Sequence, residues 1–203
     1  MKEFWNERYS KTEYAYGKNP NNFLKEQITS LKPGTILFPA EGEGRNAVFA
    51  ASLGWEVFAF DFSEEAKQKA MTLAREKNQT LKYDVLDIAQ MDFMPESFDC
   101  IALIYCHLPK QLKDKIYGKF SSYLKPGGRI IFEAFSKEHP SYQLNNPNVG
   151  GPKDPEMLFS IEDIKEYFPL LKTIELKNET IELNEGDGHT GEGNVVRYIG
   201  EKL

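Results

Sequence analysis

Short continuous apolar runs alternate along the chain with segments whose apolar residues recur every three or four positions, the signature of buried strands separated by amphipathic helices. Phe23, Leu24, Ile28 and Leu31 share one face of a helix predicted over 21–31, and Lys32, Pro33 and Gly34 end it. An apolar run from Ile36 then meets a glycine-containing turn, a helical segment from Arg45 to Leu53, Gly54, and a second apolar run, Glu56 to Phe60, closing on Asp61. That is one βαβ unit. Ser63 is placed as the N-cap of a helix reaching Lys77, with Glu64 and Glu65 in its first turn. Thr80 to Tyr83 predicts a third strand. Phe98 to Tyr105 is apolar enough to be central and covered on both faces. A helix over 109–124 carries Leu112, Ile116, Phe120 and Tyr123 on one face, and Leu124 to Gly128 turns the chain into a fifth strand, Arg129 to Phe135. Ser160 and Asp163 mark a short capped helix to Phe168. Two β-rich runs, 171–183 and 194–202, are joined by a polar segment too short for a crossover helix, so they form an antiparallel pair. His189 lies in that connection and is expected to be exposed.

Composition narrows the function. At 203 residues the chain suits a single domain, 1–203, and its net charge of −6 with no basic block argues against nucleic-acid partners and for small molecules. No apolar run is long enough to span a bilayer and the first residues lack a signal-peptide core, so the cytoplasm is the default location. Cys100 and Cys106 sit too far apart along one strand for a disulfide and are expected as free thiols. With three histidines and two cysteines at no ligand spacing, no metal site is expected.

The chemistry concentrates around the βαβ unit. Gly42 and Gly44 allow close backbone approach to a ligand, and Asp61, at a strand's carboxyl end, can accept both ribose hydroxyls of a nucleoside. Glu41 and Glu43 stand where a dinucleotide would bring its pyrophosphate to a helix N-terminus, and their charge favours instead a ligand with a sulfonium and an ammonium, such as S-adenosylmethionine, over NAD. A plain βα turn is the bland alternative. Asp84 can meet an adenine amino group. The tetrapeptide Cys106 to Pro109 follows the central strand and faces the same crevice, which makes His107 the candidate acceptor base; a residue that caps a helix or supports the site from behind is the alternative. Residues 1–20, polar but dotted with Phe4, Trp5, Tyr9, Tyr14 and Tyr16 around Arg8, look like an N-terminal cap. The aperiodic stretch 136–159 is expected to be a lid loop.

These features together resemble class I S-adenosylmethionine-dependent methyltransferases, in particular the small bacterial branch similar to tellurite-resistance and thiopurine methyltransferases. The motifs are Trp5 to Tyr9 with Tyr16, Gly17, Asn19 and Pro20, then Glu41 to Asn46, Cys106 to Pro109, Leu124 to Gly128, and Val195 to Arg197. The resemblance implies an α/β, Rossmann-like, doubly wound sheet of seven strands, mostly parallel with an antiparallel last strand, and helices on both faces. It implies a cofactor site in which the turn Ala40 to Gly44, with Glu41 and Gly42, lies against the methionine and ribose, Asp61 takes the ribose hydroxyls, Asp84 and Val85 meet the adenine, Tyr105 and Cys106 lie near the sulfonium and Arg8 near the carboxylate, with Asn46 and Phe62 also among the cofactor-binding residues. The family usually has an acidic residue at Phe38 and glycine at Ala40, so cofactor affinity is in question. Methyl transfer to a small acceptor such as a thiol or metalloid oxyanion is the expected function; a catalytically silent ligand-binding domain and a nicotinamide-dependent reductase are the alternatives.

Overall fold

Seven strands, β1 (Thr35–Pro39), β2 (Glu56–Asp61), β3 (Lys82–Val85), β4 (Phe98–Ile104), β5 (Leu124–Phe135), β6 (Leu171–Asn184) and β7 (Thr190–Lys202), form one sheet in the order β3-β2-β1-β4-β5-β7-β6. The computed structural model describes residues 2–186 and 188–203; Met1 of the expected cap and Asp187 of the expected hairpin connection lie outside the described residues. β1 to β5 pair in parallel, and β7 runs antiparallel between β5 and β6. The helices are α1 (Lys2–Tyr9), α2 (Asn22–Thr29), α3 (Arg45–Ser52), α4 (Glu64–Glu76), α5 (Lys110–Tyr123), α6 (Pro140–Asn145) and α7 (Ile161–Tyr167).

Strand alternation divides the core in two. Along β4, Cys100 and Ala102 join Phe23, Leu24 and Ile28 of α2 and Ala47 and Ala50 of α3 on one face. Ile101 and Leu103 join Ile116, Tyr117 and Phe120 of α5 and Ile164 of α7 on the other. The sheet is therefore doubly wound, as its continuous apolar strands require. Phe38 is fully buried in the first of these cores. Ser63 accepts from the Ala66 amide to cap α4, and Ser160 and Asp163 complete a reciprocal capping box on α7.

Four segments depart from the sequence reading. Residues 2–9 are helical, although only Tyr9 among them is buried. β5 begins at Leu124, where a register irregularity opposite Phe98 and Cys100 absorbs the glycine pair. The stretch 136–159 is not a bare loop: it holds α6 and two single 3-10 turns, and a bridge between Ser136 and Phe159 ties its ends together. β7 starts at Thr190, so its pairing with β6 runs from Leu171 opposite Lys202 to Asn184 opposite Thr190. His189 consequently lies in a tight turn folded back onto the sheet end, and it is buried, 4 % exposed. The expectation that it is exposed is corrected. Both cysteines are free and buried, and no described helix is long and apolar enough to cross a membrane.

Candidate functional site

β1 lies between β2 and β4, and the chain leaves it in opposite directions, so the strand order switches there. In open α/β sheets a crevice forms beyond the strand ends at such a point. The turn after β1 holds left-handed backbone at Ala40 (φ 50°), Gly42 (φ 66°) and Gly44 (φ 87°). Asp61 closes the turn: its carboxylate accepts from the Gly42 amide at 3.1 Å and the Ser63 amide at 3.0 Å. Burial pushes its carboxyl up to about 6 against the pull of those N–H groups. No cation pairs with it among the described residues.

The glycines and glutamates of the turn serve the fold more directly than expected. A Cβ at Gly44 would come within 2.6 Å of the Ala70 methyl on α4, and one at Gly42 within 2.8 Å of the Tyr9 hydroxyl. Their missing side chains make room for these protein neighbours. Glu41 turns back and caps α3, its Oε1 accepting from the Asn46 amide at 2.9 Å and the Ala47 amide at 2.8 Å. Burial lifts this carboxyl to about 7. Glu43 pairs with Lys69 at 2.7 Å and accepts from the Ala15 amide at 2.7 Å. Neither carboxylate lines the crevice as a free charge, so the expected acidic ring reduces to Asp61. Asn46 accepts from the Asn21 amide at 2.9 Å and thereby holds the start of α2.

Beyond β4, Tyr105 adopts φ 50°, and its hydroxyl is buried beside the Glu133 carboxylate without closing a hydrogen bond there. Cys106 is buried, its thiol pushed up to about 12, and its carbonyl accepts from the Tyr117 hydroxyl. His107 has both ring nitrogens committed: Nδ1 donates to the Met157 carbonyl at 2.9 Å, and Nε2 accepts from the Phe135 amide at 3.3 Å. Burial lowers it to about 3. An imidazole with no lone pair to spare cannot take an acceptor's proton, so the expected catalytic role of His107 is corrected to one of packing and strand-end tethering.

The N-terminal segment covers the turn. Tyr9 is buried against Gly42, while Arg8 donates to the Tyr16 hydroxyl at 2.7 Å and lies 5.2 Å from the Trp5 ring centre. Asp84 and Val85, at the end of the edge strand β3, are exposed, and Phe62 is half-buried. Behind Tyr105, Arg45 pairs with Glu185 at 3.0 Å, and Asn21 donates to both Glu185 (3.0 Å) and Glu133 (2.6 Å). This network ties the cap, α3 and the β6–β7 turn into one wall. Two open surface pockets are present: one of about 350 Å³ near Lys113 and Tyr167, and one of about 370 Å³ between the cap and α4, lined by Tyr9, Tyr14 and Lys69.

A family model described as a methyltransferase domain matches residues 36–128. The chain has the Rossmann-like methyltransferase fold. Phosphoethanolamine N-methyltransferase 2 of Caenorhabditis elegans is 29% identical over 126 residues, 60% of this chain and 28% of that protein, so the chain spans little more than a quarter of that curated relative. TehB from Haemophilus influenzae superposes with a TM-score of 0.72 at 18% identity, covering 100% of this chain and 67% of that one. The magnesium protoporphyrin IX methyltransferase ChlM from Synechocystis PCC 6803, with bound SAH, gives 0.72 at 12% identity over 100% and 97%.

The residues present fit S-adenosylmethionine. Asp61 is a buried carboxylate with no cation partner among the described residues and with lone pairs left over after the Gly42 and Ser63 bonds, which suits a pair of ribose hydroxyls. The anion seat at the head of α3, which a pyrophosphate would need, is filled by Glu41. Phe38 points into the core, so its departure from the family pattern removes nothing from the crevice wall. Ala40 is different, because its backbone does take the left-handed conformation for which glycine is suited.

The sequence places Tyr9 only in the cap and gives no signal for the Glu185–His189 pair, whose four-residue spacing means nothing outside a helix; the fold sets Tyr9 against Gly42 and His189 beside Tyr105.

Proposed function

We propose that the chain is an S-adenosylmethionine-dependent methyltransferase acting on a small-molecule acceptor. The observation that carries this reading is Asp61, buried and with no cation partner among the described residues, at the strand-order switch, beside a turn whose helix head is already occupied by Glu41. When bound, the cofactor supplies an electrophilic methyl group on a sulfonium. The chain's own part is alignment and exclusion of water: Asp61 holds the ribose, Asp84 and Val85 border the adenine, and Tyr9 and Tyr16 of the cap shut solvent out. Arg8 is proposed for the cofactor carboxylate, with Tyr105 and Cys106 near the sulfur.

Calorimetry tests the reading. S-adenosylmethionine or S-adenosylhomocysteine is expected to bind once per chain and NAD not at all; the reverse preference overturns it. Asp61→Ala is expected to weaken cofactor binding by about 1–3 kcal/mol, the cost of leaving buried hydroxyls without a charged acceptor.

Within the fold, a place in the branch of tellurite-resistance and thiopurine methyltransferases is supported by the sequence motifs and by the likeness to TehB. Thiols and metalloid oxyanions are the acceptors to try first, with amines added because a relative is a phosphoethanolamine N-methyltransferase. Product formation against that panel separates an enzyme from a silent binding domain. Two buried free thiols accord with a reducing, cytoplasmic setting.

A further inference from the structure

We infer that His189, held by Glu185, is the general base that removes the proton of the methyl acceptor. The inference rests on the methyltransferase reading above. Of the three histidines, His107 and His139 are spent on backbone: His139 Nε2 donates to the Gly150 carbonyl at 3.0 Å, and its Nδ1 accepts from the Asn194 amide at 3.2 Å. His189 differs. Its Nδ1 donates to Glu185 Oε2 at 3.1 Å, which leaves Nε2 as a lone-pair nitrogen with no hydrogen-bond partner among the described residues.

The ring is also in the right place. Its centre lies 4.7 Å from the Tyr105 ring, 5.1 Å from that of Phe135 and 4.5 Å from that of Tyr16, beyond the carboxyl ends of β4 and β5 and under the cap. Gly150 packs against its free edge: a Cβ there would stand 2.6 Å from Cδ2 and 3.2 Å from Nε2. Glu185 is itself fixed by Arg45 and Asn21, so it orients the imidazole and acts as a positioning residue. The groups facing His189 are the Glu185 carboxylate, Arg45 behind it, Arg8 beyond Tyr16, the phenols of Tyr16 and Tyr105, and the neutral rings of His107 and His139. Desolvation outweighs Glu185 and keeps His189 below the ordinary histidine range, hence neutral and able to accept at pH 7.

An acceptor X–H gives its proton to Nε2 while its lone pair forms the bond to the methyl carbon. The carbon–sulfur bond breaks with its electron pair retained on sulfur, and the imidazolium then returns its proton to water. The acceptor class is therefore a protic nucleophile, a thiol, phenol or amine, whose proton must leave.

Histidine-ring 15N NMR of the whole chain tests this without any acceptor. Expected is a His189 signature with a proton on Nδ1 and none on Nε2 at neutral pH, and loss of that single tautomer in Glu185→Gln. A proton on Nε2 in the unmodified chain overturns the inference. With the acceptor that the panel identifies, His189→Gln should still bind S-adenosylmethionine within about threefold yet form S-adenosylhomocysteine about 100-fold more slowly. An unchanged rate with cofactor binding intact overturns the base alone, whereas absence of cofactor binding to the unmodified chain overturns the methyltransferase reading itself.

Discussion

Ala40→Gly is expected to stabilise the protein, an unusual direction for a glycine. Ala40 sits at φ 50°, and a left-handed residue with a Cβ costs roughly 1–2 kcal/mol. Glycine removes that strain but widens the unfolded ensemble, which returns about 0.4–1 kcal/mol. The net gain is about 0.5–1 kcal/mol, and for a chain of this size each kcal/mol moves Tm by about 2–4 °C. Urea unfolding at fixed pH, with the slope against denaturant unchanged, reads the gain directly. Gly44→Ala in the same turn supplies the opposite sign: φ 87° and a Cβ 2.6 Å from the Ala70 methyl add strain to overlap, for a loss of about 2–4 kcal/mol. If Ala40→Gly instead loses 1 kcal/mol or more, the left-handed backbone is not what residue 40 costs the fold. Cofactor calorimetry on the same variant then says whether the methyl group had limited the ligand's approach; a gain in affinity is expected, since the missing Cβ lets the turn approach the methionine end more closely.

Two further outcomes follow from buried titrating groups. His107 is neutral in the fold at about 3 and ordinary in the unfolded chain, so the unfolded state binds more protons between those values and acid removes stability as pH falls from about 6.5 towards 3. Asp61 and Glu41, raised to about 6 and about 7, act oppositely: the folded state holds the extra protons, and stability falls as pH rises from about 4 to 7. His107→Gln should therefore lose about 1–3 kcal/mol at neutral pH, from its broken backbone bonds, while stability now falls on raising pH through that window; an unaltered pH profile refutes the burial argument. Cofactor affinity should weaken about tenfold per pH unit below 6 as Asp61 takes up a proton, and Asp61→Ala should be flat over the same range by calorimetry.

The βαβ unit and the central strand are legible in the sequence because burial on both faces demands continuous apolar runs, and because Gly54 and Ser63 mark helix ends with local chemistry. The helix over 2–9 is not legible: only Tyr9 is buried, so no apolar stripe distinguishes it from a loop. Asp61 follows from its place at a strand end. The histidines do not follow, because their value as bases depends on which ring nitrogens the backbone has claimed, and Met157, Phe135, Gly150 and Asn194 reach them from distant parts of the chain. His107 stands out in sequence by following a central strand, and tertiary hydrogen bonds remove it from the chemistry. His189 hides in a polar turn, and tertiary packing brings it in.

The proposed preference for a sulfonium over a pyrophosphate has two possible causes. From sequence, Glu41 and Glu43 exclude phosphate by repulsion. In the structure Glu43 is neutralised by Lys69, and Glu41 already occupies the amides of Asn46 and Ala47 that would have bound the anion. The two causes part at Glu41→Gln, which keeps a carbonyl oxygen for those amides and loses the charge. If repulsion decides, this variant gains NAD affinity; if occupancy decides, it does not, and only Glu41→Ala, which empties the helix head at a cost of about 1 kcal/mol in stability, becomes permissive to phosphate. Calorimetric titration of both variants with NAD discriminates the two, and occupancy is the expected outcome, because a single Glu41 oxygen already accepts from both amides.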